Sequence, residues 1–203
     1  MRVENLLGKH FDEACRQLAA KGLAQMQPDM IIGIRRGGLW VTEAMKSLPE
    51  LQAHLSESQL HFGETGLQRK GTAEKNRLSK ILQSLPQWLC NALRIIESIF
   101  LRMRQACRKP QLFPLDKIVF DAESEKRLQS KAQHIWIVDD AVDSGRSMAS
   151  IQAKLQTYPQ AHKVLYLALT VTEKHPLLMP DCYLYHEGVL LRFPWSNDVK
   201  QTK

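Results

Sequence analysis

The chain has 203 residues, 44% of them hydrophobic, and a net charge of +7. That is the size of one domain with a real core, and no apolar run reaches the roughly 18 residues that a membrane-spanning helix needs. The opening MRVENLLGKHFDEACRQL lacks the apolar stretch of a secretory signal, and the four scattered cysteines (Cys15, Cys90, Cys107, Cys182) have neither CxxC nor zinc spacing. A reduced, cytoplasmic protein is expected.

In chain order, Leu7, Phe11, Ala14, Cys15 and Leu18 share one helical face and predict a helix over about 4–25. Met30–Ile34 is a short apolar run before Arg35-Arg36-Gly37-Gly38, which reads as a buried strand and a tight turn. A helix over 39–47 follows. Residues 59–62 and 117–120 are candidate short strands. Residues 135–138 form a stronger strand, with a helix over 147–156 after it. KVLYLALTVT, 163–172, is another buried strand, and 183–185 and 189–191 are weaker ones. Strands alternating with helices point to an α/β fold with a mostly parallel central sheet flanked by helices. Ligands in such sheets bind beyond the carboxyl ends of the strands. Both the Arg35–Gly38 loop and the loop at 139–147 belong at that end.

Residues 64–114 are too long for a plain loop. Leu78, Ile81, Leu82 and Leu85 form one apolar stripe, and Leu89, Ala92, Leu93, Ile96, Ile99, Phe100 and Met103 form another. A helical insertion is expected here, within a single domain over 1–203. Residues 68–109 carry ten basic and two acidic side chains, a net +8 that accounts for the whole excess charge. The basicity therefore belongs to the insertion.

The chemistry concentrates in VDDAVDSGRS, Val138 to Ser147. A strand, a Ser144-Gly145-Arg146-Ser147 loop and a helix make an anion site. Backbone N–H groups and the helix N-terminus supply positive potential, the two hydroxyls donate, and Gly145 admits a close approach. Neither GxxxxGK[ST] nor GxGxxG is present. Asp139 and Asp140, beside that loop, are suited to a vicinal diol, directly or through a hydrated divalent cation. Phosphate at one end and diol at the other describe a ribose 5-phosphate. Asp143 is placed to exchange a proton at the reacting end.

VDDAVDSGRS resembles the donor-binding motif of type I phosphoribosyltransferases, with Ser144 and Ser147 where threonines are usual. IIGIRRGGL, Ile31 to Leu39, resembles the first active-site loop of that family's xanthine/guanine/hypoxanthine branch, and LRFPWS, Leu191 to Ser196, its C-terminal segment. The resemblance covers roughly 1–63 and 115–198. It implies a type I phosphoribosyltransferase-like fold and a Mg2+-dependent pentosyltransferase acting on 5-phosphoribosyl diphosphate (PRPP) with release of pyrophosphate. It also implies a homo-oligomer. By the same resemblance, Asp139 and Asp140 hold the ribose hydroxyls and the metal, Ser144, Gly145, Arg146 and Ser147 the 5-phosphate, and Arg36 and Gly37 the pyrophosphate. The Arg35–Arg36 peptide is then expected to be cis, and Asp143 catalytic.

The acceptor side departs from that family. Thr170 stands where a lysine reads the base, and Leu190 where an aromatic ring stacks on it. Phe193 or Trp195 is the available stacking substitute. The acceptor is thus a purine-like base or a non-nucleobase such as a lipid-linked or glycan intermediate. The basic insertion replaces the family's mobile active-site loop. It reads as a hairpin packed on the domain or on a second subunit, or as an acceptor-binding lid. Its amphipathic 78–109 segment, with Trp88, also suits a membrane surface or a partner. A PRPP-sensing regulator that binds nucleic acid through the insertion is the alternative from another class.

Overall fold

The computed structural model describes residues 2–52, 60–67, 86, 89–93, 95–96, 111–130, 133–159, 163–186 and 189–196. Its elements in chain order begin with β1 (Arg2–Asn5), α1 (Lys9–Leu23), β2 (Met30–Ile34), α2 (Gly37–Lys46), α3 (Pro49–Gln52) and β3 (His61–Leu67). A 3-10 turn (Leu115–Lys117) then leads into β4 (Ile118–Phe120), α4 (Ala122–Ser130), β5 (His134–Val142), α5 (Arg146–Leu155), β6 (Lys163–Val171), β7 (Cys182–His186) and β8 (Val189–Arg192). Six strands form the main sheet in the order β4-β3-β2-β5-β6-β7, and β1 and β8 form a separate pair. Every pairing is parallel except β3 with β4. The α/β class with a mostly parallel sheet is as the sequence predicts.

The sheet is covered on both faces, which is why its central strands are apolar at successive positions. Trp136 and Val138 of β5 point into a core with Leu18 of α1, Val41 and Met45 of α2, and Leu167. Ile135 and Ile137, alternate positions on the same strand, point into a second core with Met30, Ile32, Leu128 of α4, and Met148 and Ile151 of α5. The one polar atom of the buried Trp136 ring is satisfied, its indole N–H donating to the Met26 carbonyl at 3.1 Å.

Three boundaries differ from the sequence reading. Residues 4–8 are not helical. The chain runs extended along β8, with Leu6 N–H donating to the Arg192 carbonyl at 2.8 Å, and α1 starts only at Lys9. Residues 64–67, predicted to open the insertion, complete β3. The aspartates at 139–140 do not end their strand, since β5 continues to Val142. Within the insertion, 89–93 and 95–96 are helical, and the remainder of 68–110, apart from Pro86, lies outside the described residues. Among the described residues, no helix is long and apolar enough to cross a membrane.

Cys15, Cys90 and Cys182 are free and buried. Burial, assisted by the charge of Asp12, pushes the Cys15 thiol up to about 12, so it has almost no thiolate at neutral pH. In a Cys107→Ser background the native chain should therefore react negligibly with a thiol-specific disulfide reagent at pH 8. Three thiols should appear on denaturation; titration by absorbance checks this, and rapid reaction of the native chain would contradict the packing.

Candidate active site

Two loops meet at the carboxyl ends of adjacent parallel strands. Pairing of β2 with β5 stops at Gly33 and Val138, so Asp139 and Asp140 lie just past the paired stretch, beside the turn into α2. That turn carries the cis peptide between Arg35 and Arg36. Its two arginines are used differently. Arg35 forms an ion pair with Glu64 and its N–H donates to the Thr65 carbonyl at 2.7 Å, which ties it to β3. Arg36 is exposed and has no side-chain partner among the described residues. It is a free cation at the N-terminus of α2, whose first turn has no side-chain cap and so presents unsatisfied N–H groups.

The contact between the loops leaves no space for a side chain. A Cβ on Gly37 would lie 2.0–2.1 Å from the Asp140 carboxylate, and one on Gly38 would lie 2.2 Å from the Val138 carbonyl oxygen. Asp140 is thus held against the backbone that begins α2. Asp140 N–H donates to Asp139 Oδ1 at 2.9 Å, and the Trp195 indole N–H donates to Asp140 Oδ2 at 3.2 Å. Burial first, and then the charge of Asp140, raises the Asp139 carboxyl well above the ordinary carboxylate range. Burial raises Asp140 as well, against hydrogen bonds from Asp139 and Trp195 that favour its charged form.

A divalent cation fits this donor set. Two adjacent, half-buried carboxylates with raised proton affinity have unspent acceptor capacity and lack a counter-charge. Among the described residues, no group of three or more His, Cys, Asp or Glu side chains forms a cage. A cation here would keep oxygens from water and substrate, as Mg2+ commonly does.

The second loop follows β5. Gly145 lies in the left-handed region at φ 68° and is the N-cap of α5. A Cβ there would come within 2.7 Å of Leu178 N and O, so both conformation and space require glycine. The Leu177 N–H donates to the Ser144 carbonyl at 2.8 Å. Among the described residues, no protein group bonds the side-chain hydroxyl of Ser144 or Ser147, which leaves both to a ligand. Arg146 differs from expectation. Its guanidinium lies over the Phe113 ring at 3.7 Å from the centroid, reaches the Leu112 carbonyl at 3.5 Å, and leaves Nε buried without a partner among the described residues. The segment leaving the insertion therefore takes this side chain, and Arg146 can serve an anion through its backbone N–H. Asp143 is exposed and accepts a hydrogen bond from the Thr172 hydroxyl.

The four acceptor candidates are dispersed. Thr170 is buried on β6, with a hydroxyl that meets no partner among the described residues. Leu190 is half-buried on β8, opposite Val3. Phe193 is in the core. Trp195 stacks parallel to Phe193 at 4.9 Å and to Trp40 at 5.7 Å. Sequence reasoning missed Glu64, Thr172 and Trp40. None stands in a motif, and each acquires a role only through a partner distant in the chain.

A second polar cluster is structural. His61, Ser124 and Asp121 lie within hydrogen-bond range, but the Ser124 hydroxyl sits between the other two, donating to Asp121 and facing His61 Nε2 at 3.0 Å. Ser124 is fully buried. A nucleophile needs its base between itself and the acid, so this group fastens α4 to β3.

Asp139 yields a stability prediction. The folded state holds a proton that the unfolded chain has released, so this group favours folding most at low pH. That contribution is lost as pH rises from the ordinary carboxylate range through the raised folded value. At neutral pH the unliganded chain carries the penalty of a buried charge. Asp139→Asn should raise the melting temperature of the unliganded protein by about 2–4 °C at pH 8, equivalent to about 1 kcal/mol, and by less at pH 5. Thermal melts at the two pH values check this.

No family model and no curated protein sequence matches the chain. Solved structures do. A purine phosphoribosyltransferase from Pyrococcus horikoshii Ot3 matches with a TM-score of 0.54 and 18% identity, covering 100% of each chain. Xanthine-guanine-hypoxanthine phosphoribosyltransferase from Helicobacter pylori matches at 0.54 with 15% identity, over 96% of this chain and 94% of that one. A hypothetical protein from Neisseria gonorrhoeae with bound ppGpp matches at 0.54 with 12% identity, over 96% and 90%. With its parallel sheet order, its two loops at the ends of β2 and β5 and these neighbours, the chain has the type I phosphoribosyltransferase fold.

Proposed function

We propose that this chain is a phosphoribosyltransferase that moves the 5-phosphoribosyl group of PRPP to a purine-like base. The observation that carries the reading is the convergence of Arg36–Gly37, Asp139–Asp140 and Ser144–Ser147 at two neighbouring strand ends. Each matches one part of PRPP. The Ser144 and Ser147 hydroxyls and the backbone N–H groups opening α5 take the 5-phosphate. Asp139 and Asp140 accept from the ribose hydroxyls. The start of α2 and the free Arg36 guanidinium take the pyrophosphate.

In the reaction the bond from C1 to the pyrophosphate oxygen breaks, its electron pair leaving with pyrophosphate, and a bond from C1 to an acceptor nitrogen forms. Negative charge grows on the leaving group, where Arg36 and the α2 N-terminus stabilise it. Positive charge grows at the sugar, beside three carboxylates. Asp143 accepts the proton that the acceptor nitrogen gives up, and the Thr172 hydroxyl orients it. Mg2+ held through Asp139 and Asp140 would supply charge neutralisation on the donor. The names of the Pyrococcus and Helicobacter neighbours support a purine as acceptor.

Titration calorimetry with PRPP and Mg2+ tests the donor site. Saturable 1:1 binding is expected, and D139N/D140N should abolish it; undiminished affinity in the double variant would overturn the assignment. Asp143→Asn should keep PRPP affinity and lower turnover by roughly 10²–10⁴-fold. In the unsubstituted enzyme, pyrophosphate release should depend on an added base. A panel of purines, pyrimidines and glycan intermediates read by that release identifies the acceptor, and release with no acceptor, or with none of the purines, would reject the purine reading.

A further inference from the structure

The Trp195 indole N–H is aimed at Asp140 by a rigid surround. Residues 193–196 close a turn in which Ser196 N–H donates to the Phe193 carbonyl and Phe193 N–H donates to Ser196 Oγ, both at 2.9 Å. The ring is parallel to Phe193 and Trp40 within 2° and 9°, and Phe11 of α1 meets it edge-on, at 5.4 Å and 86°. Protein aromatics therefore fix the orientation of the ring. Its single polar atom, a donor only, points to Asp140 Oδ2 at 3.2 Å. On another side the same carboxylate lies against Gly37. Asp140 is clamped between the turn into α2 and the C-terminal turn.

We infer that Trp195 is a positioning residue for the donor sugar: its indole N–H fixes the Asp140 carboxylate for the ribose hydroxyls, and its ring does not read the acceptor. The inference rests on the proposed PRPP reading. A clamped carboxylate loses little freedom when the sugar binds, whereas an unclamped one must be ordered at that moment. An indole already stacked on two protein rings has little to offer an acceptor base. Trp195 thus couples the turn at 193–196 to donor binding, where the sequence reading placed it at the acceptor.

Trp195→Phe keeps an aromatic ring and removes the donor. It should weaken PRPP binding in calorimetry roughly 10-fold, the scale of a lost hydrogen bond to a charged group. KM for the acceptor base should stay within about twofold. An increase confined to the acceptor KM would show a stacking role and overturn the inference, as would unchanged PRPP affinity. A fall in melting temperature with both substrates weakened equally would show a purely structural role and also overturn it. Should the variant fail to fold, indole 15N–1H spectra of the unsubstituted chain and of Asp140→Asn decide. One of the four tryptophan resonances is expected to shift on that substitution, and four unmoved resonances would overturn the inference. Absence of any PRPP binding by the unsubstituted chain is separate, since it removes the donor reading itself and the inference with it.

Discussion

The site depends on one close approach, the backbone of Gly37 and Gly38 against the β5 segment from Val138 to Asp140. Parallel pairing of β2 with β5 brings the two strand ends level, and the absence of side chains at 37 and 38 lets the start of α2 sit on the carboxylates. Two things follow. The start of α2, with its uncapped N–H groups, is held beside the Asp140 carboxylate. Asp140 also gains a wall, which limits its rotamers before any ligand arrives. A single methyl group at position 37 would displace the Asp140 carboxylate from its present place, and site chemistry of this kind depends on such placement.

The electrostatics of the unliganded site are unfavourable. Asp139 and Asp140 are adjacent and half-buried, and both have raised proton affinity because burial penalises their charge. Nearby cations offer limited relief, since Arg35 is spent on Glu64 and Arg146 is turned onto Phe113. Such a site spends stability on readiness for a cationic or hydroxyl-bearing ligand. The arginine pair illustrates how this is arranged. One member anchors the loop to β3, and the other has no side-chain partner among the described residues.

Sequence legibility followed the range of the interactions. The β2 and β5 runs and the VDDAVDSGRS segment are continuous in sequence, and both the fold class and the meeting of the loops could be read from them. Strand β1 has no counterpart in the sequence reading, and its last two residues fall inside the expected 4–25 helix, because residues 2–5 pair with 189–192 at the far end of the chain and four residues carry no periodicity of their own. Helix α4 went unnoticed because AESEKRLQS buries only Ser124 and Leu128, too few for an apolar stripe. Arg146 was assigned to phosphate from its place in the motif, but its partners at 112–113 are reached only through the folded path of the chain. The donor–acceptor link of Trp195 to Asp140 spans 55 residues and has no local signal.

The connection from β6 to β7 has a role that its sequence does not advertise. Thr172, at its start, donates to Asp143. Leu177 N–H, further along, holds the Ser144 carbonyl, and Leu178 backs onto Gly145. One loop therefore braces both the Asp143 side chain and the Ser144–Ser147 turn. The main-chain bond at Ser144 constrains the turn from outside the β5–α5 unit, so a change in the path of 172–178 alters the two together. On the proposed reading, this one loop touches both the phosphate turn of the donor and the proton partner of the acceptor. Folds of this class vary their chemistry through the loops at one end of the sheet, and such double bracing ties the position of Asp143 to that of the Ser144–Ser147 turn.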